Sequence, residues 1–165
     1  SIILRGGSNI EKAFNFFISQ EGGEFTVEQA CGMIGNFCVE SFASRNNGDI
    51  DPTAVSGFRD ENSFGIAQWN PSKAAGDRFG QLVEFSAGQG LSHTTLEAQL
   101  LFVKYELETF SYFGLGPLRK AETVKKATEV FQDEYEKPNR SLAKTEQRIK
   151  FAEEVFRKLG RGGLE

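Results

Sequence analysis

Glu40 ends an abrupt run of apolar and small residues, Cys31-Gly32-Met33-Ile34-Gly35-Asn36-Phe37-Cys38-Val39, and is followed by Ser41 and a stretch rich in Gly, Asn and Asp. A helix finishing there sets its macrodipole against a negative charge. The apolar neighbours Phe37, Val39 and Phe42 penalise ionisation by desolvation. Both effects raise a carboxyl pKa, which is what a general acid working near neutral pH needs. Judged from its own helix alone, Glu40 reads first as a solvent-facing glutamate.

A second run, Ser63-Phe64-Gly65-Ile66-Ala67-Gln68-Trp69, changes that reading. Gly65 lets backbone come close to a ligand or a helix. Gln68 offers a donor and an acceptor to a hydroxyl or acetamido group. Trp69, the single tryptophan, has an indole face that suits a sugar ring, although core anchoring is an equal claim on it. The two runs together predict a cleft with Glu40 as the acid and the second run as a wall.

The positioning elements follow from periodicity and caps. Ser8 or Asn9 caps a helix to about Gln20. Thr26 and Gln29 form a capping box for the central helix, whose stripe is Val27, Ala30, Cys31, Ile34, Phe37 and Cys38. Gly32 and Gly35 weaken that helix by roughly 1 kcal/mol each, which close packing by other helices would offset. Residues 43–62 read as a long loop with a short β-hairpin around Asn46-Asn47-Gly48-Asp49. Asn70-Pro71 is expected to open the next helix, to about Phe85, with Ala74, Ala75, Phe79, Leu82 and Val83 inward. Further helices are expected from Thr94 or Thr95 to about Thr109, from about Ala121 to before Pro138, and from about Ser141 to Leu159, with a turn at Gly114, Gly116 and Pro117. The fold class is predominantly α: about six helices around a central helix, with the long loop or hairpin forming one wall of a cleft. Residues 1–8 read as a flexible lead-in, 9–160 as a single catalytic domain and 161–165 as a tail outside it.

Composition narrows the partners. A net charge of −4 argues against nucleic acid as the main partner. No apolar run reaches the roughly 20 residues of a membrane span. Cys31 and Cys38, on one helix, lie about 10.5 Å apart, beyond the roughly 7 Å limit for a disulfide, and read as buried thiols. One histidine and no Cys/His cluster give no metal site, and no cofactor is implied. His93 reads as an exposed loop residue or a helix-start side chain.

Glu40-Ser41 followed after a loop by Ser63-x-Gly65-Ile66-Ala67-Gln68-Trp69 resembles the phage tail lysozyme family of peptidoglycan hydrolases, and more broadly the lysozyme-like superfamily with its lytic transglycosylases. Glu97-Ala98-Gln99-Leu100-Leu101-Phe102 with Glu106-Leu107, and Ala127, Phe131 and Tyr135-Glu136-Lys137-Pro138, extend the likeness. One departure is that Asp51-Pro52 is delayed by Phe42 to Ile50. The resemblance implies an α+β lysozyme-like fold, Glu40 as catalytic acid, and Ser41, Ser63, Gly65, Gln68 and Trp69 as substrate-binding residues. Glycosidases usually employ two carboxylates. Asp49, Asp51, Asp60 and Glu61 lie in the loop, with Asp60 or Glu61 the better placed, whereas Tyr135-Glu136-Lys137-Pro138 either lines the cleft or, as the stronger reading, is a helix terminus packed in the core. The implied reaction is cleavage of the β-1,4 bond between N-acetylmuramic acid and N-acetylglucosamine, in a phage tail or endolysin context. The partner is bacterial peptidoglycan, with other tail components or a longer parent chain, and the place of action is the cell wall or periplasm of a virion-associated or secreted protein. The alternatives are a lytic transglycosylase or glucosaminidase of the same fold, or a non-catalytic glycan-binding or structural tail module.

Overall fold

The run from Val27 to Glu40 forms the helix its capping box predicts, and the other helices gather around it. The computed structural model describes residues 2–57, 62–139 and 143–160. Its helices are α1 (Asn9–Ile18), α2 (Val27–Glu40), α3 (Arg78–Gly88), α4 (Leu96–Thr109), α5 (Leu115–Lys120), α6 (Val124–Phe131) and α7 (Thr145–Val155). At the start of α2 the Gln29 amide N–H donates to Thr26 Oγ1, and the Thr26 N–H donates to Gln29 Oε1, each at 3.1 Å. Gln29 Nε2 donates in turn to the carbonyls of Arg119 and Ala121, fixing the end of α5 there.

The two glycines of α2 explain its central place. A Cβ at Gly32 would lie 2.7 Å from the backbone of Ala127 and Thr128, and one at Gly35 would lie 2.5 Å from the Arg148 carbonyl oxygen. Helices α6 and α7 therefore approach α2 to backbone contact, which only glycine permits at these positions. The contacts also give direction. Gly32 meets Ala127 and Thr128, Asn36 Nδ2 donates to Thr128 O, and the Phe37 and Phe131 rings meet at 5.6 Å. Residue numbers rise together, so α6 runs parallel to α2. Against α7 they run oppositely: Val27 meets Gly160, Gly35 meets Ala152, and Glu40 meets Arg148. The end of α2, the end of α6 and the start of α7 converge.

Cys31 and Cys38 are buried free thiols on α2, each pushed up to about 12, first by desolvation. The stripe read for α4 is also in place, since Leu96, Gln99, Leu100, Phe102, Val103 and Leu107 are buried.

Several expectations are corrected. No strand forms among the described residues, and the stretch around Asn46-Asn47-Gly48-Asp49 is a 3-10 turn (Ala43–Arg45) followed by further turns, not a hairpin. Asp49 is drawn away instead, accepting from the Asn9 and Ile10 N–H groups at the start of α1. The only bridges among the described residues are isolated antiparallel ones, Val55 with Phe64 and Phe64 with Trp69. Helix α3 begins at Arg78, because Asp77 rather than Asn70 caps it, accepting from the Gly80 N–H. Ala74 and Ala75 are consequently exposed. Gly114 to Pro117, expected as a turn, leads into the short helix α5. His93 is not a free loop residue: its ring lies 5.5 Å from both Phe64 and Phe79.

Candidate active site

Glu40 is the last residue of α2, and its carboxyl enters the region where α2, α6 and α7 converge. Arg148, on α7 and 2% exposed, donates through Nη1 to Glu40 Oε2 at 2.8 Å and to Asn36 Oδ1 at 3.0 Å, and through Nε to the Ala143 carbonyl. The Glu40 side chain retains 17% exposure, enough to be reached from outside. Its carboxyl is pushed up from the ordinary range by desolvation. The charge and hydrogen bond of Arg148, and the charges of Arg78 and Lys144, pull it down without overcoming that effect.

Helix α6 continues beyond Phe131 into a wide π turn, Gln132–Glu136. One face of this turn carries Tyr135 into the core, where its ring stacks on Phe131 at 4.3 Å. The next residue, Glu136, ends the turn, with its Oε2 buried. Because α6 runs parallel to α2, it reaches the end of α2 as Glu40 does. Its Oε2 is buried with no hydrogen-bond partner among the described residues. Burial pushes its carboxyl well above the usual range, and the nearby Glu40 charge is the next largest cause.

A second carboxylate–arginine pair stands beside this one. Glu106 on α4 is buried and accepts from Arg78 Nε at 2.9 Å and Nη2 at 2.8 Å, from Trp69 Nε1 at 2.9 Å, and from the Tyr135 hydroxyl at 2.6 Å. Arg78 Nη1 donates to the Tyr135 carbonyl. Its guanidinium stacks on the Phe113 and Tyr135 rings at 4.2 and 4.6 Å.

The residues read from the sequence divide between these two networks. Trp69 belongs to the second: at 1% exposure, with its N–H on Glu106 and its ring against Phe102, it has no open face for a sugar and anchors the core. The close approach that Gly65 permits is to α4. A Cβ there would lie 2.9 Å from Gln99 Oε1, and that oxygen also accepts from the Ile66 N–H. Ser41 is buried, its Oγ donating to the Phe37 carbonyl and accepting from the Asp51 N–H, so it tethers the loop. Ser63 is buried as well. Gln68 is half-buried, and its Nε2 donates to the carbonyls of Ala54 and Gly65. Its Oε1 is buried and has no partner among the described residues. Asp51 holds its own turn through Thr53. Asp60 and Glu61 lie outside the described residues. Among the described residues, the ion pair of Glu40 runs to Arg148 and not to the 63–69 run.

Arg148 was missed: it lies 108 residues from Glu40 in sequence and sits in a heavily charged helix, where an arginine reads as solvated. Glu136 falls in a stretch the sequence offers either to the cleft or to a packed terminus, and the π turn, which shifts residues off the 3.6-residue period, keeps spacing from deciding between them.

A mostly helical fold whose central helix ends in a shielded, partly exposed glutamate is of the lysozyme-like kind. The chain matches the family model for phage tail lysozyme over residues 8–159, nearly its whole length, and it belongs to that family. No curated protein matches it. Membership gives a peptidoglycan-lytic activity in a phage context, for a virion-associated protein acting on the cell wall. No helix among the described residues is long and apolar enough to cross a membrane.

Proposed function

We propose that the protein cleaves the β-1,4 bond between N-acetylmuramic acid and N-acetylglucosamine in the peptidoglycan strand, with Glu40 as the general acid. The observation that carries this reading is the place of the Glu40 carboxyl, at the end of the central helix, largely shielded yet 17% exposed, and paired with Arg148; burial raises its pKa in keeping with that role. Such a group gives its proton to the glycosidic oxygen as the sugar carbon–oxygen bond breaks toward that oxygen. The sugar becomes oxocarbenium-like as the site loses its proton, so negative charge appears on the protein when positive charge appears on the substrate.

Gln68 shapes the 63–69 loop from within: its Nε2 donates to the Ala54 and Gly65 carbonyls and its Oε1 is buried. Its backbone sits at φ +55, a left-handed conformation that costs a non-glycine residue about 1–2 kcal/mol and tends to persist where function needs it. Trp69 acts behind this group by fixing the loop to Glu106.

Clearing of a purified wall suspension tests the reading. Glu40→Gln keeps the shape and removes the proton, and clearing should fall by about 10²–10⁴-fold while the folded state is retained. Mass spectrometry of the released fragments should show reducing N-acetylmuramic acid ends. Anhydro ends would assign the lytic transglycosylase reaction instead, and reducing glucosamine ends the glucosaminidase. A wild-type protein that binds walls from several bacterial types and clears none would overturn the catalytic reading in favour of a glycan-binding tail module.

A further inference from the structure

Glu40 faces a difficulty as an acid, because Arg148 at 2.8 Å stabilises its anion. Charge counting around the site shows what opposes that pull. Arg78 is already neutralised by Glu106, to which it gives two hydrogen bonds. Tyr135 stays a neutral phenol, since burial pushes it well above its usual value. Lys144 is exposed and adds a weaker attraction on Glu40. Glu106 adds repulsion on Glu136. Arg148 is thus the one un-neutralised arginine, among the described residues, that the two carboxyls of Glu40 and Glu136 face. With both ionised, the shielded pair and Arg148 sum to −1. With one proton bound they sum to zero.

Geometry independently brings the two chain segments that carry these carboxyls toward one end of the bundle. The parallel register of α2 and α6 advances from Gly32 with Ala127, through Phe37 with Phe131, to the two ends at Glu40 and Glu136. The buried and unpartnered Glu136 Oε2 is a costly feature if the group is ionised, and an ordinary one if that oxygen carries hydrogen.

We propose that Glu136 is the second carboxyl of the active site, and that Glu40 and Glu136 hold a single proton between them against Arg148. The inference rests on the reading of Glu40 as the acid. In the resting site the anionic member of the pair is balanced by Arg148. In the reaction that proton leaves through Glu40 to the glycosidic oxygen, the electron pair of the breaking carbon–oxygen bond goes to the same oxygen, and both carboxyls are left ionised beside the positive sugar. Glu136 acts through Glu40 and is a positioning residue that keeps the proton available. Two carboxyls coupled in this way titrate as a pair, and the last proton leaves at a pH higher than either would show alone.

The pH profile of wall clearing is the test, with wild type, Glu136→Gln, Glu136→Asp and Glu40→Gln compared. In Glu136→Gln the alkaline limb should move toward acid by at least one pH unit, with clearing at neutral pH reduced at least tenfold. Glu136→Asp should restore much of the alkaline limb. An unmoved limb in Glu136→Gln, with Glu40→Gln inactive, would overturn the pair and leave the function standing. An active Glu40→Gln would overturn the function itself. Stability gives a readout that needs no lysis. From the ordinary carboxyl value of 4.5 upward, the folded protein keeps a proton that the unfolded chain has released. The folded state should therefore weaken as pH rises through that window, by up to about tenfold in the unfolding constant per pH unit. Glu136→Gln should flatten this dependence. An unchanged slope would count against the proposal even in a preparation without activity.

Discussion

The two buried carboxylate–arginine pairs, Glu106 with Arg78 and Glu40 with Arg148, are built to opposite specifications. Glu106 accepts four hydrogen bonds, from both ends of a guanidinium fork, an indole and a phenol. Nothing is left for it to bind, and its donors come from three separate stretches of chain. Glu40 has one charge-assisted bond from a described residue and partial exposure, and the carboxyl whose charge it repels, Glu136, is under-bonded. A saturated buried charge holds structure together, whereas an unsaturated one is strained in the folded state and can release that strain by exchanging a proton. The difference separates scaffold from site where residue type alone cannot.

The comparison breaks most visibly at Glu106. Glu106→Ala would leave the Arg78 guanidinium, the Trp69 N–H and the Tyr135 hydroxyl without their acceptor, at an expected cost of about 3–5 kcal/mol. Denaturant unfolding measures it, and clearing activity should fall only as the folded fraction falls. Glu40→Gln in the same assay should stay within about 1 kcal/mol of wild type. Equal losses from the two substitutions would end the distinction.

Gly35→Ala should come next, because it strikes packing and site together. The added methyl would press on the Arg148 carbonyl and on Ala152, costing about 1–3 kcal/mol by overpacking and displacing the arginine that balances Glu40. The matching change at Gly32 presses on α6 instead, toward the Glu136 side. If the two variants lose stability alike but differ in the pH profile of clearing, the two helices carry separable parts of the site.

The smallest effect is expected at Ser41. Ser41→Ala leaves the Asp51 N–H without its acceptor and should cost about 1 kcal/mol, with clearing close to wild type. A large activity loss in a folded Ser41→Ala protein would return that serine to the substrate-binding set.

How much of this was legible in the sequence depended on distance along the chain. The capping box, the α2 stripe, the helix from Leu96 to Thr109 and the buried thiols are local signals, and each is where its spacing places it. The burial of Glu40 was legible because its apolar neighbours Phe37, Val39 and Phe42 lie close in sequence. What could not be read is what arrives from afar: Arg148, Glu106 and Arg78 meet their partners across 28 to 108 residues. Trp69 has equal claims in the sequence as sugar platform and core anchor, because the N–H partner that decides between them lies on α4. Local competition explains the remaining misses, with Asp77 outcompeting Asn70 as a cap and Asp49 taken by the start of α1.

The wide turn at the end of α6 has a consequence for how this protein should fail. Tyr135 and Glu136 are consecutive, one committed to the saturated network and the other to the under-bonded one, and Arg78 grips the carbonyl of the peptide that joins them. A single peptide plane is thus the bulkhead between the part that bears load and the part that reacts. Damage on the load-bearing side reaches the chemistry in one step, so on gentle heating lytic power should be lost before the helices melt.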